Sequence, residues 1–185
     1  MENNHSVVRS AVKTGAILLA IAVVIALILS FVNYMTAPVI AANDEATRQQ
    51  AIAEIFEGCE SAKVEYKDDA VSELFEIRKD GAVVGYCCHV SADGFADKIE
   101  MMIGIDCGTA GNTVRAIRIL SIQDTPGIGL KVNDPEYLGK YSGAASGNEV
   151  DAITGATYSS KGIRAGADAS LSAVNAFTAK GGENA

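Results

Sequence analysis

The sequence predicts an α+β protein in which a single N-terminal transmembrane helix precedes a domain with a mostly antiparallel sheet packed by helices. Three observations predict this architecture: an uncharged apolar run near the amino end, four strand-type runs joined by short turns, and a helical period at the carboxyl end. The predicted segments are a cytoplasmic N-terminus at 1–13, the transmembrane helix at 14–35, a linker helix within 36–58, an extracytosolic domain at 59–180 and a frayed tail at 181–185.

The composition averages two unlike parts. The 185 residues are 49% hydrophobic, and 15 basic against 23 acidic side chains give a formal charge of -8, with a mean hydropathy of +0.18. So acidic a chain is not expected to bind nucleic acid, because a phosphate backbone requires a basic surface. Its apolar fraction argues against disorder. A positive hydropathy beside this charge indicates that the apolar residues are concentrated in one segment.

Residues 14–35 hold that apolar excess. As a helix these 22 residues would extend about 33 Å, enough to cross a hydrocarbon core of about 30 Å. The alternative is a cleaved signal peptide with its cleavage site near residues 40–42, although such peptides have shorter apolar cores. Arg9 and Lys13 precede the run and Asp44 follows it, so the amino terminus is predicted to be cytoplasmic and the rest of the chain exported. Without Glu2, Arg9 and Lys13, the remaining 13 basic and 22 acidic residues give -9.

The exported part begins with a predicted helix over 44–57, capped by Asn43 and ended by Gly58. Its apolar residues share one side, namely Ala51, Ile52, Ile55 and Phe56. Strands are then predicted over 71–79, 82–90, 98–106 and 113–121, with Asp80-Gly81 as the hairpin turn between the first two. In the first strand, Val71, Phe75 and Ile77 are predicted to share a face. Consecutive strands with short turns predict an antiparallel meander.

Two helices are predicted after the strands. Asp134-Pro135 begins a short one, and residues 158–179 form a long one. The apolar face of the long helix repeats at helical spacing through Ile163, Ala167, Leu171, Val174 and Phe177.

The four cysteines do not predict a metal or iron–sulfur site. Cys59, Cys87, Cys88 and Cys107 form no C-x-x-C pair, and the chain has only two histidines. Cys87 and Cys88 are adjacent, so on a strand they would face opposite sides as buried small residues. Export leaves a disulfide open as an alternative, with no partner that the sequence identifies.

Two segments have the composition of a binding site. In Asp124 to Val132, DTPGIGLKV, Pro126 and Gly127 predict a turn, and Gly127 and Gly129 would let backbone approach a ligand closely. Asp151 to Ile163, DAITGATYSSKGI, places five hydroxyls just before a helix, where free N–H groups favour an anion such as phosphate. Ordinary capping needs one hydroxyl, and no Walker phosphate loop is present. The residues alone predict a phosphate-sized anion site.

The DAITGAT segment resembles the flavinylation motif of FMN-binding domains, in which an Asp precedes an [ST]-G-A-T tetrad. The resemblance implies that Thr157 carries FMN through a phosphoester bond and that Asp151 is read by a flavin-attaching transferase, which uses a metal ion and FAD. The surrounding residues implied to bind the cofactor are Thr154, Gly155, Ala156, Ser159 and Ser160. Asp124, Thr125, Pro126, Gly127 and Gly129 resemble the family's acidic-Thr-Pro-Gly-x-Gly loop near the flavin, with Asp where Glu is more usual.

One membrane helix followed by one such domain resembles the G subunits of Rnf-type electron-transport complexes, relatives of the C subunit of Na+-translocating NADH:quinone reductase. The resemblance implies an electron-carrier subunit of a complex that couples ferredoxin:NAD+ electron transfer to Na+ or H+ transport. Other membrane and peripheral subunits would be its partners, because this chain has no dinucleotide fingerprint and no iron–sulfur ligand set, and the redox chemistry would belong to the flavin, with no catalytic residue or metal ligand in the chain. The alternatives are a freestanding extracytosolic flavoprotein and a non-redox membrane-anchored binding domain.

Overall fold

The computed structural model describes residues 2–66, 68, 70–108, 111–124 and 129–180, with backbone alone for residues 2–8, 10 and 11. The chain divides between Ala46 and Thr47 into two compact units. The predicted tail at 181–185 lies outside the described residues.

The first helix, α1, runs from Glu2 to Ile55. Its stretch from Val12 onward is long and apolar enough to cross a membrane, and the apolar side chains of this stretch in the first unit are exposed. Such a helix fits a single-pass membrane anchor. The prediction that a separate helix begins after Asn43 is wrong, because Asn43 lies inside α1. Pro38 is also inside, since a proline removes one amide bond and neighbouring groups can compensate for it in a membrane helix.

A five-stranded antiparallel sheet forms the centre of the second unit. Its strands are β1 (Glu60–Val64), β2 (Val71–Lys79), β3 (Ala82–Asp93), β4 (Lys98–Gly108) and β5 (Gly111–Ile122), in the order β1-β2-β3-β4-β5. The predicted meander and α+β class are confirmed. Asp80 and Gly81 turn between β2 and β3 with φ of 53° and 80°, as a tight hairpin requires. The sequence prediction missed β1.

The two faces of the sheet carry separate cores. On one face the end of α1 buries Ala51, Ile52, Ile55 and Phe56 against Phe75, Ile77, Cys87 and Met102. The opposite face carries the larger cluster, which includes Val71, Cys88, Ile163 and Leu171. Val71 was predicted to share a face with Phe75 and Ile77. That prediction is wrong because a register shift between Val71 and Glu73 turns the strand over.

The adjacent cysteines lie on opposite faces of β3, as predicted, and both are fully buried. Burial raises the pKa of Cys87 well above its usual range and that of Cys88 to about 12. All four cysteines are among the described residues and are free. Cys87 and Cys88 are therefore packing residues with protonated, unreactive thiols.

Helices cover the larger core. The short α2 (Pro135–Gly139) is capped by Asp134, whose side chain accepts a bond from the Glu136 amide, as its sequence predicts. The long α3 (Thr157–Ala179) packs on β3 and β4 through Ile163, Ala167, Leu171 and Val174. Short 3-10 helices at Gly129–Asn133 and Gly147–Glu149 complete the layer. The beginning of α3 lies at the segment that the sequence singles out.

Candidate functional site

The amino terminus of α3 is the centre of the candidate site. Thr157 is the first residue of the helix and is exposed, and Ala156 is its N-cap. Among the described residues no side chain caps this end, whereas Asp134 and Ser146 cap the two helical turns upstream. Uncapped amides with the partial positive charge of a helix terminus fit a phosphate group. The site is therefore suited to the phosphate that the resemblance implies.

The loop before α3 opens the space around Thr157. Gly155 has a φ of 85°, which a residue with a Cβ rarely adopts, and a Cβ there would meet nothing within 4 Å. The Ala156 amide donates to the Ile153 carbonyl at 2.9 Å, which closes the turn, and Ala156 itself is buried. Thr154 and Asp151 are exposed. These residues give access to the Thr157 hydroxyl from solvent.

Ser159 and Ser160 point the other way, into the protein. Both are fully buried. The Ser159 hydroxyl donates to Asp124 Oδ2, and the Ser160 hydroxyl oxygen accepts from the Ile153 amide at 3.1 Å. The sequence interpretation made them donors to phosphate, but the structure has them holding the turn and the helix in place.

Asp124 connects three segments through one carboxylate. It is 7% exposed, and besides the Ser159 bond its Oδ1 accepts from the Ala96 amide at 2.7 Å and its Oδ2 from the Phe95 amide at 3.4 Å. Burial by itself would raise the pKa of this carboxyl, but the bonds from Ser159, Ala96 and Phe95 together hold it below its usual value. Asp124 thus joins the end of β5, the turn after β3 and the start of α3.

The rest of the second predicted segment divides in two. Gly129 is buried, and a Cβ there would collide with the side chain of Asp124, so its lack of a side chain makes room for that carboxylate. Thr125, Pro126 and Gly127 lie outside the described residues. The structure therefore places Asp124 and Gly129 beneath the site, in contact with each other.

The segment upstream of the site is also attached to α3. The guanidinium of Arg164 donates to the Val150 carbonyl, directly before Asp151. Asp168 accepts from the Ser146 hydroxyl at 3.0 Å and from the Gly147 amide at 2.7 Å. Both ends of the motif loop are therefore fixed to the helix that the loop precedes.

Two aromatic side chains at the site were missed by the sequence interpretation. Phe95 and Tyr158 line a pocket of about 180 Å³ together with Gly155, Ala156, Thr157 and Ser159. Lys161 Nζ lies 5.8 Å from the centroid of the Tyr158 ring, which adds a cation nearby. Phe95 follows the Ala92-Asp93-Gly94 turn signal, and an aromatic residue in a turn was the available clue. Within the described residues, no group of three or more His, Cys, Asp or Glu side chains is placed to hold a metal.

Gly162 sets how closely α3 approaches the sheet beside the site. A Cβ at Gly162 would collide with the carbonyl oxygen of Asp93 at the end of β3. We expect Gly162→Ala to lower the free energy of unfolding of the full chain in detergent by about 1–3 kcal/mol, measured by urea titration of tyrosine fluorescence.

The control for this prediction is Gly139→Ala in α2, where a Cβ would meet nothing within 4 Å. There the change should be neutral or slightly stabilising. Equal midpoints for the two variants would contradict the close packing of α3 on β3.

Comparison with known proteins gives two matches along the chain. Residues 1–55 match the profile of the RnfG N-terminal region, and residues 94–172 match the profile of the FMN-binding domain. The second match contains Phe95, Asp124, Asp151 and Thr157.

Three curated proteins are similar to the chain, and each is the G subunit of a membrane redox complex. That of the Na+-translocating ferredoxin:NAD+ oxidoreductase complex of Acetobacterium woodii is 28% identical over 187 residues, covering 86% of this chain and 89% of that protein. That of an ion-translocating oxidoreductase complex of Methanosarcina acetivorans is 32% identical over 110 residues, covering 55% and 56%. That of the proton-translocating ferredoxin:NAD+ oxidoreductase complex of Clostridium ljungdahlii is 22% identical over 163 residues, covering 82% and 85%.

Proposed function

Because the chain belongs to the family of Rnf-complex G subunits, we propose that it is the membrane-anchored electron carrier of an ion-translocating ferredoxin:NAD+ oxidoreductase, with FMN covalently held on its carboxyl-terminal domain. The observation that carries the proposal is the exposed Thr157 at the uncapped start of α3, inside the segment that matches an FMN-binding domain. When bound, FMN supplies one- and two-electron redox chemistry.

Thr157 Oγ1 is the proposed attachment atom. A separate transferase would join it to the FMN phosphate of FAD with release of AMP, so that Thr157 becomes a phosphoester and keeps the cofactor outside the cell. The α3 amides would offer the phosphate hydrogen-bond donors and a positive partial charge. Gly155 leaves the hydroxyl accessible to the transferase, and Asp151 and Thr154, both exposed, are available for recognition by it.

The buried residues of the motif have a positioning role in this account. Asp124 and Ser159 bond to each other, and Ser160 holds the Ile153 amide. These contacts fix the direction of the helix terminus and of Thr157 without touching the cofactor. Gly129 contributes by leaving space for Asp124. For Thr125, Pro126 and Gly127 the proposed proximity to the flavin rests on the resemblance alone.

The proposed orientation places the amino terminus in the cytoplasm and the flavin domain outside it. Arg9 and Lys13 lie before the span and Asp44 after it, in agreement with the bias of basic residues toward the cytoplasm. Since the chain has neither a dinucleotide fingerprint nor an iron–sulfur ligand set, it would be one step in electron transfer and would depend on the other subunits for the full reaction.

Co-purification tests membership of a complex. We expect the tagged full chain, extracted from its own membranes in mild detergent, to bring down partners with several membrane spans, identified by mass spectrometry. A carrier of this kind needs both a donor and an acceptor subunit within reach. The control is a tagged unrelated single-span protein from the same membranes. Recovery of the chain alone, with its flavin attached, would instead support a freestanding extracytosolic flavoprotein.

A further inference from the structure

Two large aromatic side chains stand exposed beside Thr157. Phe95 is 60% exposed and Tyr158 is 66% exposed, the highest values for large hydrophobic residues among the described residues of the second unit. Their ring centroids are 6.0 Å apart with the planes inclined at 57°. Adjacent exposed rings form an apolar patch, and such a patch on an acidic surface marks a binding site more often than chance placement.

The pair borders the attachment atom. Phe95 and Tyr158 line the pocket of about 180 Å³ in which Thr157 also lies. Tyr158 additionally lines a larger cavity of about 500 Å³ with Lys98, Lys161 and Gly162. A flat group tethered to the Thr157 hydroxyl therefore has aromatic surface within reach on the same side of the helix.

One buried carboxylate holds the two aromatic segments. Asp124 accepts from the Phe95 and Ala96 amides on the turn after β3, and from the hydroxyl of Ser159, the residue directly after Tyr158. Gly94 allows this turn to be tight, because a Cβ there would meet the Asp97 carbonyl at 2.5 Å. The backbone beneath each exposed ring is thus fixed to a common point, which keeps the rings beside each other before any ligand arrives.

We infer that Phe95 and Tyr158 form an aromatic platform that holds the planar ring system of the flavin tethered at Thr157. Aromatic faces stack on flat conjugated rings, and rings already held in place lose little conformational entropy on binding. This inference rests on the proposed function. It adds two positioning residues and assigns Asp124 the role of keeping them in register.

Flavin fluorescence and visible circular dichroism test the platform. Phe95→Leu and Tyr158→Leu are made in the full chain, produced with the transferase but without the other subunits, and intact mass first confirms that each carries flavin. We expect flavin fluorescence to rise several-fold and the visible dichroism to diminish in both, because a stacked phenol ring quenches flavin fluorescence and a held ring shows induced dichroism. Both sites are exposed, so folding should change by no more than about 0.5 kcal/mol.

Two further variants make the test specific. Tyr158→Phe keeps a stacking ring but removes the phenol, so the dichroism should remain while fluorescence rises. Val83→Ala, at an exposed apolar residue on β3, should leave both signals unchanged. Wild-type signals in both Leu variants of a loaded chain would overturn the platform and leave the proposed function standing. A wild-type chain that lacks the flavin mass would overturn both, and loss of partner binding with unchanged flavin signals would reassign the rings to a protein interface.

Discussion

Thr157→Ala is expected to yield a folded chain that carries no covalent flavin. Alanine has no hydroxyl to form the phosphoester, and no neighbouring hydroxyl occupies the same first position of α3. Because Thr157 is exposed, its replacement should change the free energy of unfolding by no more than about 0.5 kcal/mol. The measurement is in-gel flavin fluorescence of the denatured full chain, together with far-ultraviolet circular dichroism of the native one.

Three companions make this result interpretable. Thr157→Ser retains a hydroxyl and should keep part of the fluorescence. Ser172→Ala, at an exposed hydroxyl further along α3, should keep all of it. Asp151→Ala should lower the attached fraction without loss of stability, whereas Glu57→Gln, at another exposed acid, should not. Covalent flavin retained in a folded Thr157→Ala chain would contradict the assignment.

Asp124→Ala is expected to cause the largest loss of stability among substitutions at the site. Removing the carboxylate leaves the buried Ser159 hydroxyl and the amides of Phe95 and Ala96 without their acceptor. We expect the free energy of unfolding of the full chain in detergent to fall by about 2–3 kcal/mol near neutral pH. Asp97→Ala, at an exposed acid in the same turn, should cost no more than about 0.5 kcal/mol.

The pH dependence gives this prediction a sign. The pKa of Asp124 is lower in the folded chain than its ordinary value, so the folded state favours the charged form. Its contribution is therefore complete above about pH 4, the unfolded value, and is lost as the pH falls through the lower folded value. The difference in unfolding free energy between wild type and Asp124→Ala should stay constant from about pH 5 to 8 and should narrow below about pH 4. A difference that widens in acid would contradict the charged, hydrogen-bonded state.

The strands could be predicted from sequence because their signals are local. Asp80-Gly81 fixes the first hairpin, and the predicted β2 has the observed bounds. The β1 strand was missed because it is a short edge strand with mostly exposed residues, so no apolar alternation reveals it. The face of Val71 was missed for a different reason, since the register shift in β2 depends on its pairing with β3.

The site was predictable in place but not in orientation. Small residues and hydroxyls before a helical period identify the start of α3. Successive helical residues differ in direction by about 100°, so Thr157 and Tyr158 face solvent while Ser159 and Ser160 face the core. The partner that decides the role of Ser159 is Asp124, which is 35 residues away in sequence. Such a contact exists only once β5, the turn after β3 and α3 have come together.

Mass spectrometry of one tryptic peptide tests the central claim most directly. Cleavage after Lys140 and Lys161 releases peptide 141–161, which contains the whole motif and has Lys161 as its one basic residue. From the chain isolated out of its own membranes, we predict this peptide at its sequence mass plus that of FMN less one water, with fragment ions placing the addition on Thr157. Only the unmodified peptide, or an addition placed on Thr154 or on a serine, would contradict the account.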